Sequence, residues 1–201
     1  MTLPHGISSN VENWLVANIP GATAPFSYTQ IAGGHSNLTF KVDDAAGHSY
    51  VLRRPPLGHR LASAHDMSRE HRIIAGLAKS NVPVAPALGL CTDEAVNDLP
   101  FYVMAFVDGH VIRDKASASS ILQPQGCHRA SESIVDTMAA IHAVDITSVG
   151  LQDLGRHDGY IARQLKRWHG NIVEQRTREL PLVDSVYEEL MTRIPVQSSA
   201  T

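Results

Sequence analysis

Hydrophobic positions along the chain repeat every second residue in some stretches and with helical spacing in others, and these two periods divide it into elements. Residues 10–18 place Val11, Trp14 and Leu15 on one helical face, with Asn10 as a candidate cap and Pro20-Gly21 as the stop. Residues 26–31 read as a first strand. After Gly33-Gly34, Leu38, Phe40 and Val42 alternate with Thr39, Lys41 and Asp43. A turn at Ala45, Ala46 and Gly47 leads to a third strand over 49–53, where Tyr50 and Leu52 oppose Val51 and Arg53 before Pro55-Pro56 end it. Three consecutive strands joined by short turns predict an antiparallel meander, not the strand–turn–helix unit of a dinucleotide fold.

Residues 63–79 change to helical period, with Met67, Ile74, Leu77 and Ala78 toward a core. Residues 84–90 and 101–106 are two further strands around a polar turn at 92–97. Beyond Asp108-Gly109, residues 113–120 read as a small-residue polar connector. Helical patterns then follow over 129–144, with Ile134, Met138 and Ile141 in one stripe, and over 160–172 and 182–190. The expected organisation is α+β: an antiparallel-sheet small lobe over residues 1–107, then a connector and the first helices of an incomplete larger lobe over 108–201.

Composition narrows the function classes. In 201 residues, 43% hydrophobic content is enough for an ordinary core, and 17 basic against 20 acidic side chains give a formal charge of -3 with no basic run. Nucleic acid is not an expected partner. The N-terminus has no secretory pattern and no apolar run reaches spanning length, so the expectation is a cytoplasmic protein without a membrane partner. Cys91 and Cys127 have no C-x-x-C spacing and read as incidental thiols.

Gly33, Gly34, His35, Ser36 and Asn37 lie between strands, where two flexible residues let backbone N–H groups turn toward phosphate oxygens; a plain hairpin uses the same residues. Arg53 at the end of the third strand and Glu70 on the next helix read either as an exposed ion pair or as a phosphate-gripping guanidinium with a carboxylate that sets its direction. Met104, Ala105, Phe106 and Val107 precede Asp108-Gly109, where backbone groups could meet an adenine edge between apolar walls or could simply end a core strand. His65, Asp66, Glu70 and His71 lack metal-binding spacing, and no metal ligand is assigned. Trp14 and Trp168 read as packing anchors.

These segments, in order, resemble the aminoglycoside phosphotransferase family, in particular its branch related to the N-terminal kinase-like domains of some acyl-CoA dehydrogenase family members. The resemblance rests on G-G-H-S-N at 33–37, Y-V-L-R-R-P-P at 50–56, S-R-E-H-R-I-I-A-G-L at 68–77, then V-P-V-A-P, F-Y-V-M-A-F-V-D-G, I-H-A-V-D and G-R-H-D-G-Y-I-A-R-Q-L-K-R-W at 155–168. It implies a protein-kinase-like fold, ATP and Mg2+ as cofactors, and phosphoryl transfer to a small-molecule hydroxyl. Under it, Gly33, Gly34, His35, Ser36 and Asn37 cover phosphates, Arg53 engages them, Glu70 positions Arg53, and residues 104–107 form the hinge beside adenine. The family's catalytic H-G-D-x-x-x-x-N segment and its later metal-binding aspartate do not occur before Thr201, so no catalytic residue is identified and the magnesium site is incomplete. The resemblance therefore implies a truncated module that binds ATP, or one completed by a protein partner supplying the rest of the large lobe, or a nucleotide-dependent interaction module.

Overall fold

Strand β3 (Ser49–Arg54) is the centre of the small-lobe sheet. In the computed structural model, which describes residues 4, 6–31, 37–56, 65–156 and 158–196, it lies between β2 (Leu38–Asp43) and β5 (Phe101–Ala105). The five strands run in the order β1-β2-β3-β5-β4, all neighbours antiparallel, with β1 (Ser27–Gln30) and β4 (Ala87–Cys91) at the edges. Helix α2 (Met67–Leu77) connects β3 to β4. The expected α+β meander of five strands with one intervening helix is thus the observed one.

The register sorts side chains into two faces. Leu38 pairs with Arg54, Phe40 with Leu52 and Val42 with Tyr50. Leu38, Phe40, Val42, Tyr50 and Leu52 form one apolar layer with Phe101, Val103 and Cys91, into which α1 (Asn10–Asn18) inserts Val11 and Leu15. Phe40, Val42, Leu52, Phe101 and Val103 are at most 2% exposed; each such side chain contributes about 1.5–3 kcal/mol of burial energy. Trp14 packs edge-on to Phe101 with centroids 5.0 Å apart, an anchor as expected. Glycine at position 89 is what admits the indole: a Cβ there would lie 2.9 Å from Trp14 Cη2 and 3.2 Å from Ile19 Cδ1.

Asp44 fixes the β2–β3 turn. Its carboxylate accepts from the backbone N–H groups of Thr23, Ala46 and His48, and it also contacts His48 Nδ1 and the Tyr50 hydroxyl. Gly47 supplies the left-handed residue of the turn, at φ 88°. Burial works to raise the Asp44 pKa, but the hydrogen bonds from His48 and Thr23 outweigh it and hold the group down at about 2.

Element ends differ from the sequence expectation where capping decides them. Helix α1 begins at Asn10, whose amide N–H donates to Ser8 Oγ while its side chain donates to the Ala95 carbonyl, so Asn10 is the first helical residue and not the cap. Helix α2 starts four residues later than its apolar period, because Asp66 caps it by accepting from Arg69 N. Its Met67 is buried as expected, but Ala78 is exposed and Gly76 takes the core position, close against Leu151. The stretch expected to be a connector holds α3 (Lys115–Ile121), closed by a reciprocal Asp114–Ser117 capping box. Helix α4 (Pro124–His142) starts five residues before its expected position, with Pro124 in its first turn.

The chain divides into two compact units, residues 1–151 and 152–201. All the elements above belong to the first. In the second, α5 (Tyr160–Gln175) and α6 (Pro181–Thr192) are joined by the His169 and Tyr187 rings, stacked 3.9 Å apart, and by Asp184, which binds His169 Nε2 and Arg176 Nη1, each at 2.9 Å. Those two bonds hold the Asp184 carboxyl below its ordinary value. Trp168 is 59% exposed, so it is not the packing anchor expected. Cys91 and Cys127 are both free.

Two measurements probe these contacts. Replacing Gly89 with alanine should lower stability by about 1–3 kcal/mol, because the new methyl would overlap Trp14 and crowd Ile19; denaturant unfolding with an unchanged m-value checks it. Asp44 titrates lower when folded than its ordinary value of 3.8. Its stabilisation is therefore complete above that value and is lost as pH falls through about 2. The melting-temperature gap between wild type and Asp44→Asn should be widest near neutrality and shrink across that acid window.

Candidate functional site

The opposite face of the sheet carries the candidate site residues. Thr39 pairs with Arg53 and Lys41 with Val51 across β2 and β3; Val51 pairs with Met104 and Arg53 with Tyr102 across β3 and β5. Alternation therefore presents Arg53, Tyr102, Val51 and Met104 together on the side away from α1. Arg54, one residue on, points the other way and is fully buried, with its guanidinium Nη2 3.3 Å from Asp98 Oδ1 and its Nε donating to the Pro55 carbonyl.

Helix α2 brings Glu70 over this face. Glu70 Oε2 lies 3.0 Å from Arg53 Nε and accepts from the Tyr102 hydroxyl at 3.2 Å; Oε1 accepts from Asn37 Nδ2 at 2.8 Å. Asn37 is 7% exposed, and its Oδ1 lies 2.7 Å from His65 Nδ1. The Arg53 and Glu70 side chains keep 35% and 31% exposure, half-buried rather than surface groups. Arg53 Nε is itself buried, and although it is in ion-pair range of Glu70 it makes no aligned hydrogen bond among the described residues. The pair is thus held by charge, with a guanidinium N–H not directed at its carboxylate. Burial, the Glu70 charge and the bond to Glu70 together push the Tyr102 phenol up to about 12 against the opposing pull of Arg53.

Toward the far end of β5 the face becomes apolar. Met104 and Phe106 are half-buried and Val107 is 67% exposed, while Ala105, paired with Tyr50, turns to the α1 side. The Lys41 ammonium sits 5.0 Å from the Phe106 ring centroid and 2.7 Å from Asp43 Oδ1. Two backbone donors proposed for a base edge are already engaged: Ala105 N donates to the Pro86 carbonyl and Phe106 N to that of Ser49. Of the turn residues, Gly33, Gly34, His35 and Ser36 lie outside the described residues, while Asn37 joins the Glu70 cluster. Tyr102 and His65 are the members sequence reasoning missed as partners. Tyr102 could have been found by counting alternate positions on β5 opposite Arg53.

The model of the phosphotransferase enzyme family matches residues 27–200 of this chain. The chain belongs to that family. Among solved structures it is similar to a crystal structure of a "putative aminoglycoside phosphotransferase" from Ralstonia eutropha, with 31% identity, a TM-score of 0.76, and coverage of 95% of this chain and 54% of that one. Curated relatives include mouse acyl-CoA dehydrogenase family member 11, 33% identical over 196 residues, and family member 10, 31% identical over 180. The match takes in 94% of this chain and 24% of the first relative, and 90% and 17% for the second, so this chain spans a quarter or less of those relatives' length. The α+β kinase-like architecture is that of the family. Among the described residues, no group of three or more His, Cys, Asp or Glu side chains is placed to hold a metal, and no helix is long and apolar enough to cross a membrane.

If Glu70 sustains the high Tyr102 pKa, Glu70→Gln should lower it, since the raising charge disappears while the lowering charge of Arg53 remains. Ultraviolet titration of phenolate formation, with Tyr102→Phe identifying the transition, checks the direction.

Proposed function

We propose that this chain carries the nucleotide side of a small-molecule phosphotransferase: it binds ATP, and Arg53 grips the phosphates under the direction of Glu70. The observation that supports this most directly is the Arg53–Glu70 pair, brought together from a strand and a helix on the face that also presents Met104 and Phe106. A cationic group beside an apolar shelf matches a ligand that is charged at one end and aromatic at the other. The Arg53 side chain keeps 35% exposure, so the outer N–H groups of its guanidinium are the ones available to a phosphate oxygen.

Within this reading Met104 and Phe106 flank the adenine. The exposed Val107 backbone, beyond the last sheet bond, presents the hydrogen-bonding edge in place of the engaged amides of Ala105 and Phe106. Gly33, Gly34, His35 and Ser36 would cover the phosphates. Bound Mg-ATP would supply the transferable phosphoryl group and the metal charge that neutralises it. Glu70, already shared by Asn37, Arg53 and Tyr102, serves orientation and is not offered as a magnesium ligand. The acceptor would be a small-molecule hydroxyl, and no residue of this chain is assigned as its base.

A second reading, completion by a polypeptide that supplies the remainder of the family fold, draws on α4. Its Ile134, Val135, Met138 and Ile141 are 62%, 64%, 52% and 46% exposed, an apolar stripe that would be covered by such a partner. Co-purification followed by a phosphate-transfer assay separates it from a module that only binds nucleotide.

Arg53→Ala should weaken Mg-ATP binding by about 10- to 100-fold, the loss expected of a charge-assisted phosphate contact. Glu70→Ala should weaken it less, because the guanidinium persists but is no longer aimed. Calorimetry on folded variants checks both; unchanged affinity in the two would remove the pair from the phosphate site.

A further inference from the structure

The cluster beneath Arg53 extends one step further than a strand–helix ion pair needs. Asn37, immediately before β2, is buried between two groups of α2's N-terminal region: Glu70 in the helix's first turn and His65, one residue before the Asp66 cap. Chemistry fixes how the amide sits. A carboxylate only accepts hydrogen bonds, so the Asn37 NH2 group must face Glu70 Oε1, 2.8 Å away. Its carbonyl oxygen is then the atom turned to His65, 2.7 Å away, and an oxygen requires a donor there. His65 must therefore carry its proton on Nδ1.

The result is a directional chain: His65 Nδ1–H donates to Asn37 Oδ1, Asn37 Nδ2–H donates to Glu70 Oε1, and Glu70 Oε2 is left for Arg53 and Tyr102. With Oε1 held by Asn37 and Oε2 by Tyr102, the carboxylate has little rotational freedom, and it fixes where the negative charge beside the Arg53 guanidinium sits, 3.0 Å from Nε. We propose that Asn37 and His65 are positioning residues that act through Glu70 to aim Arg53, tying the start of β2 to the first turn of α2. This deepens the phosphate-gripping reading and rests on it. Asn37 then works from below the site rather than as a direct phosphate contact.

The test uses the 201-residue chain with Mg-ATP and adenosine as calorimetric probes, and 15N NMR of the histidine rings. Asn37→Leu and His65→Leu should each weaken Mg-ATP binding by about tenfold while leaving adenosine unchanged, because only the phosphate end depends on the aim of Arg53. His65→Gln, which can still donate to Asn37, should recover most of the ATP affinity. In wild type the deprotonated His65 ring should be the Nδ1–H tautomer and should lose that preference in Asn37→Leu. Equal losses for adenosine and ATP would mean that the substitutions only damage the fold and would overturn the proposal, as would unchanged ATP affinity or an Nε2–H ring in wild type. A wild-type chain that binds neither probe would refute the nucleotide reading and the positioning role with it, whereas ATP binding indifferent to Asn37 would refute the positioning role alone.

Discussion

The arrangement of this lobe depends on the two-residue period of β3. As the central strand it is covered on both sides, so every residue must suit one of two unlike environments. Tyr50, Leu52 and Arg54 enter the α1 layer; Val51 and Arg53 enter the layer under α2. A slip of one residue would exchange these sets, placing Arg53 in the apolar core and Arg54 on the functional face. What prevents the slip is local. Asp44 and Gly47 fix the β2–β3 turn, and Phe40 and Val42 demand Leu52 and Tyr50 as their partners. Turn chemistry and core packing therefore specify which of two adjacent arginines becomes available for chemistry.

That constraint explains what was legible in the amino-acid sequence. Alternation and turn residues located all five strands to within a few positions, because a half-buried strand writes its period directly into residue type. The Arg53–Glu70 pairing was legible as well: one end of a strand and the first turn of the helix that follows are close by connectivity. Tyr102 and His65 were less visible because their part depends on register between strands far apart in the chain, Arg53 and its partner Tyr102 being 49 positions apart, and on an approach across a chain segment that periodicity does not describe. Helix α3 was missed for a different reason. Its Ala and Ser residues have the composition of a linker, and only the Asp114–Ser117 spacing carried the helical signal.

Arginine at position 53 sets what the proposed phosphate site would require. A lysine in that place would offer a single mobile ammonium, whereas a guanidinium has a plane and must be aimed before its N–H groups are useful. The neighbours of Glu70 answer that requirement. Two donors, Asn37 before β2 and Tyr102 on β5, and one cation, Arg53 on β3, meet one carboxylate from α2. A flexible cation would need no such number of contacts around its partner.

Nor do those contacts make sense mainly as stabilisation. Arg53 and Glu70 are each about one-third exposed, and pairs in such settings typically contribute only ~0–1 kcal/mol to folding. A fold seeking stability alone would gain more by extending the apolar layer, as replacement of ion pairs by packed hydrophobic residues often shows. The charges instead stand where the sheet is no longer needed as a core, on the face opposite α1, and the buried Tyr102 phenol is kept neutral far above ordinary pH so that it can donate to the carboxylate. Under the proposed phosphate-gripping role, orientation is what this arrangement would supply to the guanidinium.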